Sequence, residues 1–244
     1  MTGAQTVLAL EFRGAGDTAD FGFLAREGVA GLVRVDPLVH HVDRPLTLSE
    51  QAALVAARLP DRPALVLAYC GTAALALHVS ALTGTPALLV DPYPVTVEDM
   101  VQDFRRLCAA TGIDPDTAAE PATGPDVARW ERALSAGRDA MADVHGGDEE
   151  AYEMVDDLLD RYRAWLRFLQ ASRAAEPVAP AAPVVGVTAR PDPRLDLLVA
   201  DPAAVELHRV DVPAGLLDSP EVRARLTAAI HRYAPTAAAA QGNS

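Results

Sequence analysis

The chain of 244 residues contains no lysine, so all 21 of its basic residues are arginine. These arginines form no cluster of five or more, and the 34 acidic residues give a formal net charge of −13. Because the recognition of nucleic-acid phosphates requires clustered positive charge, the composition argues against nucleic acid as a partner. The acidity does not by itself identify any other partner.

Cysteine is also scarce, with Cys70 and Cys108 as its two occurrences. Two isolated cysteines do not make a disulfide framework, and no Cys/His spacing indicates a metal site. The chain lacks an apolar run of about 18 residues, which a membrane span requires. Its first residues also lack the basic region of a signal peptide. We therefore expect a cytoplasmic protein without a membrane partner, a metal or a cofactor of its own.

Half of the residues are hydrophobic, which is enough for one domain with a sizeable core. Short runs rich in Val and Leu, bounded by turn residues, predict buried strands, and helical patterns lie between them. This alternation is typical of a parallel sheet with helices on both faces. The predicted strands span 6–12, 31–35, 64–69, 86–90, 184–188 and 205–210, and the predicted helices among them span 48–59, 71–82 and 218–233.

The middle of the chain has a different pattern. From residue 96 to about residue 173 it shows no strand pattern, and helices are predicted over 97–111, 126–143 and 149–174. A proline-rich connector follows, and the strand pattern then resumes. This predicts a helical insertion at about 96–175 within a single domain spanning 1–244, rather than a separate helical domain. The Ala-rich tail, 236–244, is expected to be disordered.

The most informative local motif is AYCGTA, residues 68–73, where a predicted strand meets a predicted helix. It resembles the G-x-S-x-G turn that presents a nucleophilic serine, with Cys70 in the serine position. In such a turn the N–H of Gly71 would point at a developing oxyanion, and the helix N-terminus would stabilise a thiolate. The alternative is that Cys70 is a small core residue at a strand end.

A second motif follows the first strand, where residues 12–21 read FRGAGDTADF. This stretch resembles the Pro-x-Ala-Gly-Gly-Ser loop of type II thioesterases from polyketide and nonribosomal peptide biosynthesis, although Asp17 replaces a customary glycine. In that family the loop supplies the second oxyanion-hole amide, so the resemblance implies this role for Ala15 or Gly16. The alternative is an ordinary glycine-rich turn.

Two aspartates are candidates for the acid of a catalytic triad. Asp91, in the segment LLVDPYP, lies where the thioesterase domains of peptide synthetases carry their acid. Asp192, in the segment ARPDP, lies where type II thioesterases place theirs. Both aspartates precede a proline, and forming a turn is the alternative role for each.

The segment that should carry the triad histidine departs from the family pattern. The family places it in a Gly-x-His segment just before the last helix, but here that segment, 212–220, reads VPAGLLDSP. His208 lies a few residues earlier, inside a predicted strand, and is the remaining candidate. His78 and His231 lie within predicted helices.

The resemblance as a whole implies an α/β-hydrolase fold, with a mostly parallel central sheet flanked by helices and a helical lid insertion. It also implies a thioesterase-like enzyme acting on acyl or aminoacyl thioesters, whose partner is an acyl or peptidyl carrier protein with a phosphopantetheine arm. A thiol depends less on a base than an alcohol does, so acyl transfer through Cys70 is favoured over hydrolysis. A catalytically inactive relative that binds or shapes a carrier-tethered intermediate is one alternative. A lactone hydrolase resembling dienelactone hydrolases, which also use cysteine, is the other.

Overall fold

The computed structural model describes residues 5–12, 20–41, 43–114, 125–212 and 215–235. Within this part, the Val- and Leu-rich runs form six strands that pair in parallel in one sheet, in the order β2-β1-β3-β4-β5-β6. The strands are β1 (Val7–Leu10), β2 (Leu32–Val35), β3 (Leu65–Tyr69), β4 (Ala87–Val90), β5 (Val184–Thr188) and β6 (Val205–Arg209).

Among the described residues, one helix lies between each pair of successive strands from β1 to β4, and four lie between β4 and β5. Only short 3-10 turns connect β5 to β6, and a last helix follows β6. The helices are α1 (Gly22–Arg26), α2 (Leu48–Arg58), α3 (Ala73–Thr83), α4 (Val97–Thr111), α5 (Val127–Ala136), α6 (Arg138–Val144), α7 (Glu149–Ala174) and α8 (Pro220–Tyr233). The starts of several of these helices are determined by capping residues. Thr47 and Thr96 each cap a helix and form a capping box with an acidic residue three positions later, and Pro220 occupies the first turn of α8.

The chain divides into two compact units. The sheet unit comprises Met1–Pro37, Thr47–Pro94 and Ala175–Ser244. On one face of its sheet, alternate strand residues such as Leu67, Val90 and Val187 pack in a buried cluster with residues of α1 and α8. The opposite face is covered by α3, which contacts β3 and β4 and packs on α2. A parallel sheet flanked by helices on both faces confirms the predicted α/β-hydrolase fold class.

The helical unit comprises Leu38–Leu46 and Val95–Ala174. Its core is centred on the stacked rings of Phe104 and Trp130, whose centroids lie 4.5 Å apart. Trp165 packs against this core and donates a hydrogen bond from its indole Nε1 to Asp103 Oδ2 (3.2 Å). Burial raises the pKa of Asp103, although this hydrogen bond and Arg106 oppose the shift. The helical unit thus has a core of its own, made mainly by α4, α5 and α7.

The helices differ from the sequence prediction at two points. The predicted helix 126–143 is two helices, α5 and α6, which meet at Gly137, where a Cβ would lie 2.6 Å from the side chain of Ile113. The predicted helix 71–82 begins later, at Ala73, because residues 70–72 form a 3-10 turn. In the described ranges no helix combines the length and apolarity that crossing a bilayer requires. The tail 236–244 lies outside the described residues.

His78 lies on α3 at its contact with α2, where its Nδ1 is 3.3 Å from Ser49 Oγ. Its Nε2 is buried and has no hydrogen-bond partner among the described residues. Burial lowers the pKa of His78 below the ordinary 6.5. The unfolded chain therefore binds this proton more readily than the folded protein does.

Acidification should consequently destabilise the folded protein through His78. The loss should begin as the pH falls through about 6.5 and stop growing below the lower pKa of the folded state. In His78→Gln, the free energy of unfolding should fall less between about pH 7.5 and 5.5 than in the wild type, by under about 1 kcal/mol since the site is half-buried. Urea denaturation at both pH values measures this. His231→Gln, at an exposed position on α8, is the control, and equal pH dependence in wild type and His78→Gln would contradict the assignment.

Candidate functional site

The turn between β3 and α3 carries Cys70 in a strained backbone conformation. Its φ is +53°, in the left-handed region that non-glycine residues seldom occupy, at a cost of about 1–2 kcal/mol. Such strain clusters at active sites and ligand clamps, where the surrounding structure enforces it. Cys70 is half-buried, whereas Cys108 is fully buried in the helical unit. The conformation at Cys70 is the one that a strand-to-helix nucleophile turn requires.

Thr72 holds this turn in place. Its buried Oγ1 accepts a hydrogen bond from the Tyr69 N–H (3.1 Å). The hydroxyl lies within donating distance of two carbonyl oxygens, that of Leu10 at the end of β1 (3.0 Å) and that of Tyr69 (2.9 Å). Ala68, on the other side of Cys70, is fully buried. The two flanking positions are therefore small residues, and one of them ties the turn to the neighbouring strand.

The parallel register places Asp91 next to Cys70. Tyr69 of β3 pairs with Val90 of β4, so Cys70 and Asp91 are the residues that follow this pair at the carboxyl edge of the sheet. Asp91 also has a positive φ, +49°, and its N–H donates to the Val187 carbonyl on β5 (2.7 Å). Two neighbouring strands thus end in strained residues with polar side chains.

Both carboxylate oxygens of Asp91 are engaged by residues at the end of β5. Thr188 Oγ1 donates to Oδ1 (2.9 Å), and Arg190 Nε donates to Oδ2 (3.0 Å). The guanidinium of Arg190 lies over the ring of Tyr93, with Cζ 4.4 Å from the centroid. Asp91 therefore occupies the position predicted for the triad acid but orients an arginine instead of a histidine.

The charges of these groups act on one another. Burial disfavours the charged form of Arg190, but Asp91, with smaller contributions from Cys70 and Tyr93, holds the pKa of Arg190 above its ordinary value. Burial raises the pKa of Tyr69, and the negative charges of Cys70 and Asp91 add to this shift while Arg190 opposes it. Tyr69 thus remains a protonated phenol at neutral pH, and Arg190 remains a cation.

Asp192 lies two residues beyond Arg190, in the loop after β5. Its side chain is exposed, and its Oδ1 accepts a hydrogen bond from the Arg194 N–H (3.0 Å). This contact is the local turn that aspartate often forms with the backbone two residues later. The structure therefore brings Asp91, but not the Asp192 carboxylate, into contact with Arg190.

His208 lies on β6, where its Nε2 is 3.0 Å from Glu206 Oε1. In the register it is level with Val187 of β5, which in turn pairs with Val90 of β4. Three strand spacings separate β6 from β3, about 14 Å in all. The structure therefore does not bring His208 together with Cys70.

The segment before α8, where the resemblance expects the histidine, carries an acid. Gly215 has a φ of +65° and precedes a short 3-10 helix ending at Asp218. Asp218 accepts a hydrogen bond from Arg223 Nη2 (2.9 Å), and its charge contributes to the raised pKa of Tyr69. This segment thus lies in the neighbourhood of Tyr69 and contributes a carboxylate there.

The predicted oxyanion hole is described only in part. Gly71 directly follows Cys70 in the 3-10 turn, and a Cβ at this position would have Phe12 Cε2 at 3.9 Å as its neighbour. Ala15 and Gly16 lie outside the described residues. A hydrogen bond connects the residues on either side of the loop that contains them, since the Phe21 N–H donates to the buried carboxylate of Glu11 (2.7 Å).

A metal site finds no support in the described ranges, where no group of three or more His, Cys, Asp or Glu side chains is arranged to hold an ion. The residues that sequence reasoning missed are Arg190, Thr188 and Tyr93. Arg190 lies within the same short segment as Asp192, but a single arginine in a loop carries no motif that distinguishes it from the other 20.

No family model and no curated protein matches the chain. Among solved structures, it is similar to the NocB thioesterase domain captured in a covalent complex with a fluorophosphonate nocardicin G analogue, at 19% identity and a TM-score of 0.49 over 95% of each chain. It is similar to RedJ, the thioesterase of the prodiginine pathway in Streptomyces coelicolor, at 17% identity and a TM-score of 0.46, covering 95% of this chain and 91% of that one. A proline iminopeptidase-related protein from Thermus thermophilus gives 19% identity and a TM-score of 0.45, with the same coverage of 95% and 91%. The likenesses are too distant to assign a function.

The role of Thr72 can be tested with two substitutions that differ in the hydroxyl. Thr72→Val keeps the shape but leaves the Tyr69 N–H without its buried acceptor, so the free energy of unfolding should fall by about 1–3 kcal/mol. Thr72→Ser keeps the hydroxyl and should lose less than about 1 kcal/mol. Urea denaturation measures both. Equal losses in the two variants would show that the hydroxyl does not hold the turn.

Proposed function

We propose that this protein is a thioesterase-like enzyme that handles acyl or aminoacyl groups carried as thioesters on a carrier protein, with Cys70 as the nucleophile. The observation that carries the proposal is the strained turn at Cys70, which lies at the carboxyl edge of a parallel sheet beside the Asp91–Arg190 pair. Ligand and catalytic sites of such sheets lie at this edge. A half-buried thiol at the start of a helix suits a nucleophile in both position and chemistry.

The reaction begins when the Cys70 thiolate attacks the carbonyl carbon of the carrier-bound thioester. A Cys70–carbon bond forms, the bond from that carbon to the sulfur of the phosphopantetheine arm breaks, and the arm departs as a thiolate. The acyl group now rests on Cys70 as a second thioester of similar energy. An acceptor thiolate then reverses these steps. One thiolate replaces another in each half, so no net proton transfer is required.

Transfer to a thiol is favoured over hydrolysis by the same geometry. Water must lose a proton to attack an acyl-cysteine, and a histidine usually accepts it. Here the carboxylate of Asp91 is occupied by Thr188 and Arg190, and the permanently charged Arg190 cannot accept a proton. The arrangement therefore supports acyl transfer better than release of a free acid. The phosphopantetheine belongs to the carrier protein, so the enzyme itself would need no cofactor.

A second candidate function is supported by the same Asp91–Arg190 pair. A protein that kept the fold but binds a carrier-tethered intermediate without covalent chemistry would not need a base near Cys70. The engagement of Asp91 by Arg190, with His208 three strands away, favours this alternative over a hydrolase. The two functions differ in whether an acyl group becomes attached to Cys70.

Intact-protein mass spectrometry distinguishes them. After mixing with an acyl- or aminoacyl-loaded carrier protein, the wild type should gain the mass of one acyl group, and Cys70→Ala should gain none. Cys108→Ala removes the buried thiol of the helical unit and should still form the adduct. Transfer of the label from the adduct to a second carrier, faster than its release as free acid, would identify a transferase.

Two results would overturn the proposal. An adduct that persists in Cys70→Ala would place the nucleophile elsewhere. No adduct in the wild type with several acyl groups, together with retained binding to the carrier, would favour the non-enzymatic function. Hydrolysis of small free lactones that depends on Cys70 would instead identify a lactone hydrolase.

A further inference from the structure

We infer that Arg190, oriented by Asp91, is the electrostatic partner of the Cys70 thiolate and stands in the place that a histidine base would take. The inference deepens the proposed function by assigning a positioning residue to its nucleophile. It also concerns the ionisation of Cys70 alone, and can therefore be tested without any acyl substrate.

The placement of Arg190 follows from the strand register. The residues after Tyr69 and Val90 are Cys70 and Asp91, and Thr188 lies level with Asp91 on the next strand. Arg190 follows two residues later and returns to this row, since its Nε donates to Asp91 Oδ2 and its backbone N–H donates to Thr188 Oγ1 (3.0 Å). These two contacts fix where the loop after β5 directs the guanidinium.

The guanidinium of Arg190 has N–H groups left with which to bind a further anion. The Nε of Arg190 donates to Asp91, and the face of the guanidinium lies over the ring of Tyr93. The two Nη atoms make no hydrogen bond within the described part of the chain. The side chain is 38% exposed, so it is not sealed within the core. An arginine held by one edge and one face presents its remaining N–H groups in a fixed direction, which a flexible lysine does not.

Acids and phenols also lie in this neighbourhood among the described residues. Tyr69 precedes it on β3, Asp91 follows β4, Tyr93 lies two residues further, and Asp218 lies before α8. Negative charge on any of them disfavours a thiolate, and Arg190 supplies the opposing positive charge. The electrostatic coupling of Cys70 to Arg190 supports this placement. Removing Arg190 would also leave Asp91 uncompensated beside the thiol.

The pH dependence of Cys70 alkylation by iodoacetamide tests the inference, because the thiolate is the species that reacts. Peptide mapping by mass spectrometry separates Cys70 from Cys108. In Arg190→Gln the midpoint of the rate profile should rise by about one pH unit, so that alkylation at pH values below both midpoints becomes about tenfold slower. Arg190→Lys retains the charge and should restore most of this loss.

Arg58→Gln is the matched control, since it removes the same charge at the exposed end of α2, which leads into the amino end of β3. Its profile should match that of the wild type. Thermal unfolding shows that each variant is folded, and Arg190→Met, which keeps an aliphatic stem against Tyr93, replaces the glutamine variant if that one does not fold.

An unchanged midpoint in folded Arg190→Gln or Arg190→Met would overturn the inference. A midpoint in Arg190→Lys as high as that in Arg190→Gln would also overturn it, because charge would then not be the cause. If the midpoint shifts as expected but no acyl adduct forms on the wild type, the pairing stands and the proposed enzymatic function fails. The two proposals can therefore fail separately.

Discussion

The parallel register of β3, β4 and β5 is the constraint on which the candidate site depends. It brings the ends of three strands to one row, so that Cys70, Asp91 and Thr188 become neighbours although they are far apart in sequence. The loop after β5 then returns Arg190 to the same row. Because register in a buried sheet is fixed by the apolar pattern on both faces, the core determines which side chains meet at the edge.

The pair that forms at this edge decides which chemistry the site can support. A carboxylate that orients a histidine prepares a base, whereas a carboxylate that orients an arginine prepares a binding site for an anion. Such a site can stabilise a thiolate that enters or leaves, but an arginine, unlike a histidine, cannot accept the proton of water. Transfer of an acyl group from one thiol to another needs no group that accepts the proton of water. A thiol at position 70 and an arginine beside Asp91 therefore both suit the proposed exchange.

Much of the fold could be predicted from sequence because it depends on local composition. Each predicted strand contains the observed one, since runs of Val and Leu bounded by turn residues are unambiguous where both faces of a sheet are buried. The division at Gly137 was not predicted in this way, and this glycine lies where a Cβ would meet the side chain of Ile113, 24 positions earlier. Helix ends marked by Thr47 and Thr96 were close to their predicted positions for local reasons.

The site was less predictable than the fold, for a physical reason. Cys70 and Asp91 could be singled out because each ends a recognisable strand. The role of Arg190 depends on a contact with Asp91 across 99 positions, and nothing in its own neighbourhood indicates that contact. The same holds for His208, which was a candidate through its place in chain order, while the sheet places it three strands from Cys70.

The distribution of backbone strain bears on whether the protein performs chemistry. Among the described residues, the non-glycine residues with positive φ are Cys70 and Asp91, which directly follow β3 and β4, and Arg194, which lies in the loop after β5. Glycine would relieve about 1 kcal/mol or more at each position, so stability alone does not explain cysteine or aspartate there. The strain at Cys70 supports the proposed nucleophile, which must project from the turn, over a core residue at a strand end.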